Sequence, residues 1–124
     1  MSESMNLLRY TDLEVWQSAR QLVKWTYELT NEFPSKEAYR LSSQMRRSAI
    51  SVPSNIAEGA GRKTSKDTVQ FLYISRGSLY ELETQFYLSL DVGYITEHQL
   101  TQGIEKITET RKRLNGFINY YKNK

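Results

Sequence analysis

The chain has 124 residues, with no cysteine, one histidine, two prolines and six glycines. Without cysteine it has neither disulfides nor thiolate chemistry, as is usual in a reducing compartment. The scarcity of proline and glycine disfavours a β fold with many turns and favours long helices. Because no long apolar run follows the polar residues 1–6, we expect no signal peptide and no membrane span. These features predict a cytoplasmic protein.

The single histidine, His98, limits the chemistry that the chain can perform. A di-iron bundle needs Glu-x-x-His pairs on two helices, and the residue three positions before His98 is Ile95. A zinc site or a hydrolytic triad would depend on the same imidazole. The glycine-rich run GAGRKT at 59–64 lacks the spacing of a phosphate-binding loop. We therefore predict no catalytic residue, no metal and no cofactor.

The composition is that of one globular domain, with 12% aromatic and 25% charged residues. Helical signals divide it into four segments, which predict an all-α fold, an antiparallel up-down-up-down four-helix bundle. We expect one domain over residues 1–124, with flexible ends at 1–10 and 122–124.

Start and stop signals set the expected helix ends. Capping boxes, in which two side chains satisfy each other's backbone N–H groups, are predicted at Thr11 with Glu14 and at Thr96 with Gln99. The first helix should begin near Asp12 and end at Phe33-Pro34, and the second should begin near Ser35 and end at 59–61. The third should begin after Thr64 or Ser65 and end at Gly93. Pro53 lies inside the second helix and should kink it or split it.

The first helix carries two apolar strips. One is predicted to face the core: Leu13, Trp16, Ala19, Val23, Tyr27 and Thr30. The other is predicted to be exposed and to form a homo-oligomer interface: Val15, Leu22, Trp25 and Leu29.

Three charged residues occupy core-facing positions of the third and fourth helices: Arg76, Glu83 and Arg111. An unpaired buried charge is costly, so Glu83 should pair with one of the two arginines. The alternative is that these long side chains extend to the rim of the bundle.

The charges alternate in sign along the chain. The net charge is −2 over residues 1–33, +5 over 34–66, −4 over 67–104 and +4 over 105–124. This alternation has two explanations. Neighbouring helices of opposite charge attract each other, or the basic segments face an anionic partner. For the second case, the predicted phosphate contacts of a nucleic-acid site are Arg40, Arg46, Arg47, Arg62 and Lys63.

Tyrosines recur every seven residues at Tyr73, Tyr80, Tyr87 and Tyr94. Such a ladder is typical of half-buried packing or a subunit contact. Aromatic side chains beside basic groups can also stack on unpaired bases.

Several motifs together resemble a known family, the four-helix-bundle proteins encoded in 23S rRNA intervening sequences. The matching segments are LEVWQ at 13–17, FP at 33–34, SQMRRSA at 43–49, SVPSNIAEG at 51–59, FL at 71–72, GSLYELETQ at 77–85 and GYI at 93–95. The resemblance implies a ring-shaped homopentamer. It also implies similarity to the accessory protein of diversity-generating retroelements, which binds nucleic acid and a reverse transcriptase. It supplies no catalytic residues.

The sequence thus predicts a non-enzymatic, oligomeric accessory protein that binds RNA or DNA through basic surfaces. The alternative is a protein–protein scaffold with no nucleic-acid role, in which basic helices meet acidic helices of a neighbouring subunit or of another protein.

Overall fold

A computed structural model describes residues 9–37 and 40–124 of the chain. These residues form four α-helices and two short 3-10 turns, and they contain no β-strand. The turns are Tyr10–Asp12 and Ser35–Glu37, and the helices are α1 (Glu14–Thr30), α2 (Leu41–Ala60), α3 (Ser65–Asp91) and α4 (Glu97–Lys122). The all-α fold is confirmed. Most of the expected flexible N-terminal end, residues 1–8, lies outside the described residues.

The four helices form an antiparallel ring. Each packs against the next in sequence, and α1 also packs against α4. Hydrogen bonds show the antiparallel order of α2 and α3, because Thr68 binds the carbonyl of Gly59 while Ser75 binds that of Val52. The connections from α2 to α3 and from α3 to α4 are short. The architecture is therefore the predicted up-down-up-down bundle.

One apolar core runs along the bundle axis. Its largest fully buried members come from all four helices: Leu22, Met45, Ile56, Leu72, Leu79, Leu82, Phe86, Ile107 and Leu114. No helix in the described ranges has the length and apolar character needed to cross a membrane.

The seam between α2 and α3 is lined by small hydroxyl side chains. Thr68 donates a hydrogen bond to the Gly59 carbonyl and Ser75 donates one to the Val52 carbonyl, each at 2.8 Å. A Cβ added at Gly59 would lie 3.1 Å from the Thr68 carbonyl oxygen. The two helices therefore approach closely because their contact residues are small and their buried hydroxyls have partners.

The predicted caps of the last two helices are confirmed. The Thr64 side chain accepts a hydrogen bond from the Asp67 amide at 3.1 Å and caps α3. Thr96 and Gln99 form the reciprocal capping box of α4. Gly93, with φ of 83°, follows the end of α3 in the left-handed conformation that glycine adopts without strain.

The predicted starts of the first two helices are wrong. Leu13 is extended (φ −73°, ψ 131°), so a 3-10 turn precedes α1, and Thr11 and Glu14 do not form its capping box. Arg40 has φ −124° and ψ −111°, outside the helical region. The turn that begins at Ser35 therefore does not continue into α2, which starts at Leu41.

Pro53 lies within one uninterrupted helix, so it does not split α2. Proline has no amide hydrogen and leaves one carbonyl of the preceding turn without its usual helical partner. The hydroxyl of Ser75 donates a hydrogen bond to the neighbouring Val52 carbonyl. The carbonyl that loses its helical donor is that of Ala49, four residues before Pro53, so the Ser75 bond ties α2 to α3 beside the proline but does not replace the missing bond.

The prediction of an exposed strip on the first helix is wrong. Val15, Leu22 and Leu29 are buried in the core of the single chain, and Trp25 is half-buried with its ring edge against Phe86, 5.6 Å between centroids. The two strips are centred roughly 130° apart around the helix and merge into one broad face. Because α1 packs against both α2 and α4, most of that face is covered, and Tyr27 at its margin is 37% exposed. These four residues do not form a free surface for a second copy.

Two glycines of α4 give opposite predictions for stability. A Cβ at Gly103 would lie 2.7 Å from the buried Phe86 ring, whereas a Cβ at Gly116 would meet nothing within 4 Å. We expect Gly103→Ala to lower the free energy of unfolding by about 1–3 kcal/mol through overpacking. Gly116→Ala should raise it by about 0.5–1 kcal/mol through helix propensity. Urea denaturation measures both, and equal stabilisation by the two changes would contradict the packing at Gly103.

Candidate nucleic-acid interface

The structure divides the five predicted phosphate contacts into two groups. Arg40, Arg46 and Arg47 lie at the beginning of α2, and Arg62 and Lys63 lie in the loop after it. From Arg46 to Arg62 the chain advances about 24 Å along the helix. The basic residues therefore do not form one patch, and each group has its own surroundings.

Several arginines are neutralised by carboxylates. The Arg62 guanidinium lies 2.7 Å from a Glu58 carboxylate oxygen and stacks over the Phe71 ring at 4.5 Å. Arg113 binds both Glu109 and Glu14, and these hydrogen bonds raise the pKa of its guanidinium above the usual value. A carboxylate partner weakens the positive potential that such an arginine presents to an external anion.

Glu83 and Arg111 form the ion pair expected between α3 and α4, 3.1 Å from nitrogen to oxygen, with side chains about 22% and 20% exposed. Arg76 instead donates a hydrogen bond to Asn115 Oδ1 at 2.9 Å. The predicted pairing of Glu83 with one of the two arginines is thus confirmed.

Arg46 is held in place without a carboxylate. Its Nε donates to Thr30 Oγ1 and its Nη2 donates to Asn31 Oδ1, each at 2.8 Å. The guanidinium also lies over the Tyr27 ring, 4.5 Å from the centroid. No carboxylate in the described part of the chain forms an ion pair with it. Arg46 therefore keeps its full charge and three of its five N–H donors in a fixed position.

A groove of about 320 Å³ lies beside Arg46 at the junction of α1 and α2. Ser43, Arg46, Arg47 and Ile50 line it from successive turns of α2, and Tyr27 lines it from α1. Tyr27 is 37% exposed and Ile50 is 42% exposed. The groove thus combines two guanidinium groups and a hydroxyl with apolar walls. We call it the α1–α2 groove.

Sequence reasoning found only part of this groove. It identified Arg46 and Arg47, but it missed Ser43 and Ile50 and assigned Tyr27 to the core. The three- and four-residue spacing of Ser43 and Ile50 from Arg47 was a signal for a shared helix face. The two anchors of Arg46 come from the end of α1, and no pattern in the sequence links them to α2.

The other predicted residues lie elsewhere. Arg40 and Lys63 are exposed, and neither lines the groove. His98 is exposed in the first turn of α4. Within the described ranges, no three potential metal ligands come together.

A second cleft, of about 340 Å³, lies between α1 and α4. It contains both members of the Arg113–Glu14 and Arg113–Glu109 pairs together with Lys106. Because carboxylates neutralise its arginine, this cleft has a weaker positive field than the α1–α2 groove.

The fold and the groove define a small helical-bundle protein with a fixed, unneutralised arginine on its surface. Residues 11–116 match the family described as 23S rRNA-intervening sequence protein. The chain belongs to this family. No curated protein matches it significantly.

A solved structure from Bacteroides thetaiotaomicron has a similar fold. It is described as a protein of unknown function from the S23 ribosomal protein family. The two chains are 23% identical with a TM-score of 0.75, and the match covers 84% of this chain and 97% of the other. At this identity the similarity shows the fold alone.

Substitutions at the Glu83–Arg111 pair test the contact between α3 and α4. Glu83→Ala leaves the Arg111 charge partly buried without its partner, so the free energy of unfolding should fall by about 1–3 kcal/mol. Glu81→Ala, at an exposed position of the same helix, should change it by less than about 0.5 kcal/mol. Urea denaturation distinguishes them, and a loss below about 0.5 kcal/mol for Glu83→Ala would contradict a structural role for the pair.

Proposed function

We propose that this protein is a non-enzymatic, homo-oligomeric accessory protein that binds RNA or DNA in the α1–α2 groove. The observation that carries the proposal is that the Arg46 side chain is held by hydrogen bonds but has no carboxylate partner in the described part of the chain. Neutral oxygens of Thr30 and Asn31 orient its guanidinium without cancelling its charge. A phosphate in the groove would meet donors that are already in position, so little side-chain entropy is lost on binding.

Arg47 adds a second, exposed charge to the same groove. Contacts from arginine to phosphate release counterions, and this supplies affinity that does not depend on base sequence. The exposed faces of Tyr27 and Ile50 supply apolar surface for a sugar or an unpaired base.

Self-association is part of the proposal, because several copies would present several grooves to one nucleic-acid strand. The family resemblance implies a ring of five copies. It also suggests a reverse transcriptase as a protein partner and the cytoplasm as the location. Arg40 and Lys63 would serve as outlying phosphate contacts on either side of the groove.

The first test is binding of labelled single-stranded RNA, duplex RNA and duplex DNA, followed by fluorescence anisotropy at several salt concentrations. We expect affinity to fall steeply with salt. Arg47→Gln should weaken binding and reduce the slope of log K against log salt by about one. Arg62→Gln removes the same charge from a neutralised pair and should change both much less. Absence of binding at low salt would rule out the proposal and favour the protein scaffold.

A sharper test changes charge without removing the arginine. Asn31→Asp keeps the hydrogen-bond geometry around Arg46 but places a carboxylate 2.8 Å from its Nη2 in place of the amide oxygen. Affinity for nucleic acid should fall by about tenfold or more, the equivalent of one charged hydrogen bond. Thermal unfolding should show that the fold is intact.

Asn115→Asp is the matched control for this change. It places the same carboxylate beside Arg76, which Asn115 contacts at 2.9 Å on the α3–α4 side of the bundle. The proposal requires a large loss of affinity for Asn31→Asp and a small one for Asn115→Asp. Equal losses for the two variants would mean that net charge, and not the groove, governs binding.

A further inference from the structure

Two stacks of an arginine on an aromatic ring lie on the same side of α1. The Arg20 guanidinium lies 5.5 Å from the centre of the Trp16 ring, and the Arg46 guanidinium lies 4.5 Å from the centre of the Tyr27 ring. Trp16 and Tyr27 belong to one helix, and their spacing places them within about 20° of each other around its axis and about 16 Å apart along it. A single extended ligand can therefore contact both stacks.

The surface between the two stacks is built from two matching rows of side chains. In each row the spacing from the first member is four, seven and eleven residues, so the row follows one line along its helix. Because the helices are antiparallel, Tyr27 at the end of one row meets Arg46 at the start of the other. All eight side chains are exposed or half-buried. We call them the α1–α2 face: Trp16, Arg20, Val23 and Tyr27 on α1, and Arg46, Ile50, Pro53 and Ala57 on α2.

The α1–α2 face is positively charged and contains no carboxylate. Its charged members are Arg20 and Arg46, and neither forms an ion pair with a carboxylate in the described residues. The acidic residues of the two helices lie about 100° or more around the axis from the middle of the row on their helix. They are Glu14, Glu28 and Glu58. Charge complementarity therefore favours a polyanion along the whole face.

The aromatic and apolar members of the face favour unpaired bases. In a duplex the bases are paired and stacked, so a protein reaches only their edges and the phosphates. Unpaired bases can be turned out and stacked on aromatic rings or on guanidinium planes. Arg20 and Tyr27 are exposed, so each stack can accept a base from solvent. Between the stacks, the half-buried Val23, Pro53 and Ala57 offer apolar surface to a sugar or a base.

We infer that the α1–α2 face binds single-stranded nucleic acid in preference to a duplex, with one unpaired base at the Trp16–Arg20 stack and another at the Tyr27–Arg46 stack. The inference names the substrate class of the site in the proposed function and rests on that function. The span of about 16 Å corresponds to about five nucleotides at the 3.4 Å spacing of a stacked strand, and to fewer in an extended strand.

The first experiment compares a single strand with a duplex of the same length, about twelve nucleotides, by fluorescence anisotropy. The single strand should bind about tenfold or more tightly than the duplex, because two bases stack on the protein. Arg20→Gln should weaken binding of the single strand severalfold. Lys112→Gln is the matched control, since it removes an exposed charge from α4, which does not contact α2. It should change the affinity much less. A duplex that binds as tightly as the single strand would overturn the inference.

Intrinsic fluorescence tests the stack at Trp16 directly. The chain has two tryptophans, and the Trp25 ring lies against Phe86 and beneath Lys106 of α4, away from the α1–α2 face. In Trp25→Phe the only indole is Trp16, and saturation with an unlabelled single strand should quench its fluorescence. In Trp16→Phe the only indole is Trp25, whose fluorescence should change little. Circular dichroism checks that both variants fold. Unchanged Trp16 fluorescence at saturation would overturn the inference.

The inference and the proposed function fail in different ways. If Asn31→Asp weakens binding but Trp16 fluorescence does not respond, the groove contacts phosphates and only the path of an unpaired strand is wrong. The same conclusion follows if Arg20→Gln loses no more affinity than Lys112→Gln. If neither single strand nor duplex binds at low salt, the proposed function is wrong, and the inference falls with it.

Discussion

The close approach of α2 to α3 is the constraint on which the rest of the bundle depends. Small residues line the seam, and their buried hydroxyls bind backbone carbonyls, such as Ser75 to Val52 and Thr68 to Gly59. Because these polar groups are satisfied within the seam, the helices can pack tightly without the cost of burying unpaired donors. This pairing also fixes the rotation of each helix. It thereby determines that Arg46 and Ile50 turn towards α1 and that the tyrosines of α3 turn outward.

The partner of each arginine then decides what that arginine can do. Arg62, Arg111 and Arg113 form ion pairs with carboxylates of the same chain, which partly neutralise their charges. Arg46 has a hydroxyl and an amide oxygen as partners, so it is equally well ordered but keeps its charge. A net charge of +3 says little about such differences. The local pairing, and not the total, makes the α1–α2 groove the best candidate for an anion.

The α1–α2 groove is small, cationic and lined from two helices, which suits a phosphate and the group attached to it.

Local sequence signals are sufficient to place the four helices and most of their ends. Signals such as Thr64, the Thr96–Gln99 box and Gly93 act over a few residues, so local chemistry is sufficient to place them. The sequence also identified Arg46 and Arg47 as surface cations and Glu83 as the partner of a partly buried arginine. It did not give the starts of α1 and α2, because the backbone conformations of Leu13 and Arg40 carry no strong sequence signal.

Which helix faces are covered depends on how the four helices pack together. The strip of Val15, Leu22 and Leu29 is apolar in the sequence, but two neighbouring helices, and not a second copy, bury it. The tertiary structure also brought Thr30 and Asn31 to Arg46 and separated Arg46 from Arg62 by the length of α2. A helical pattern defines directions around one axis, whereas burial and charge pairing depend on the helices that come to lie beside it.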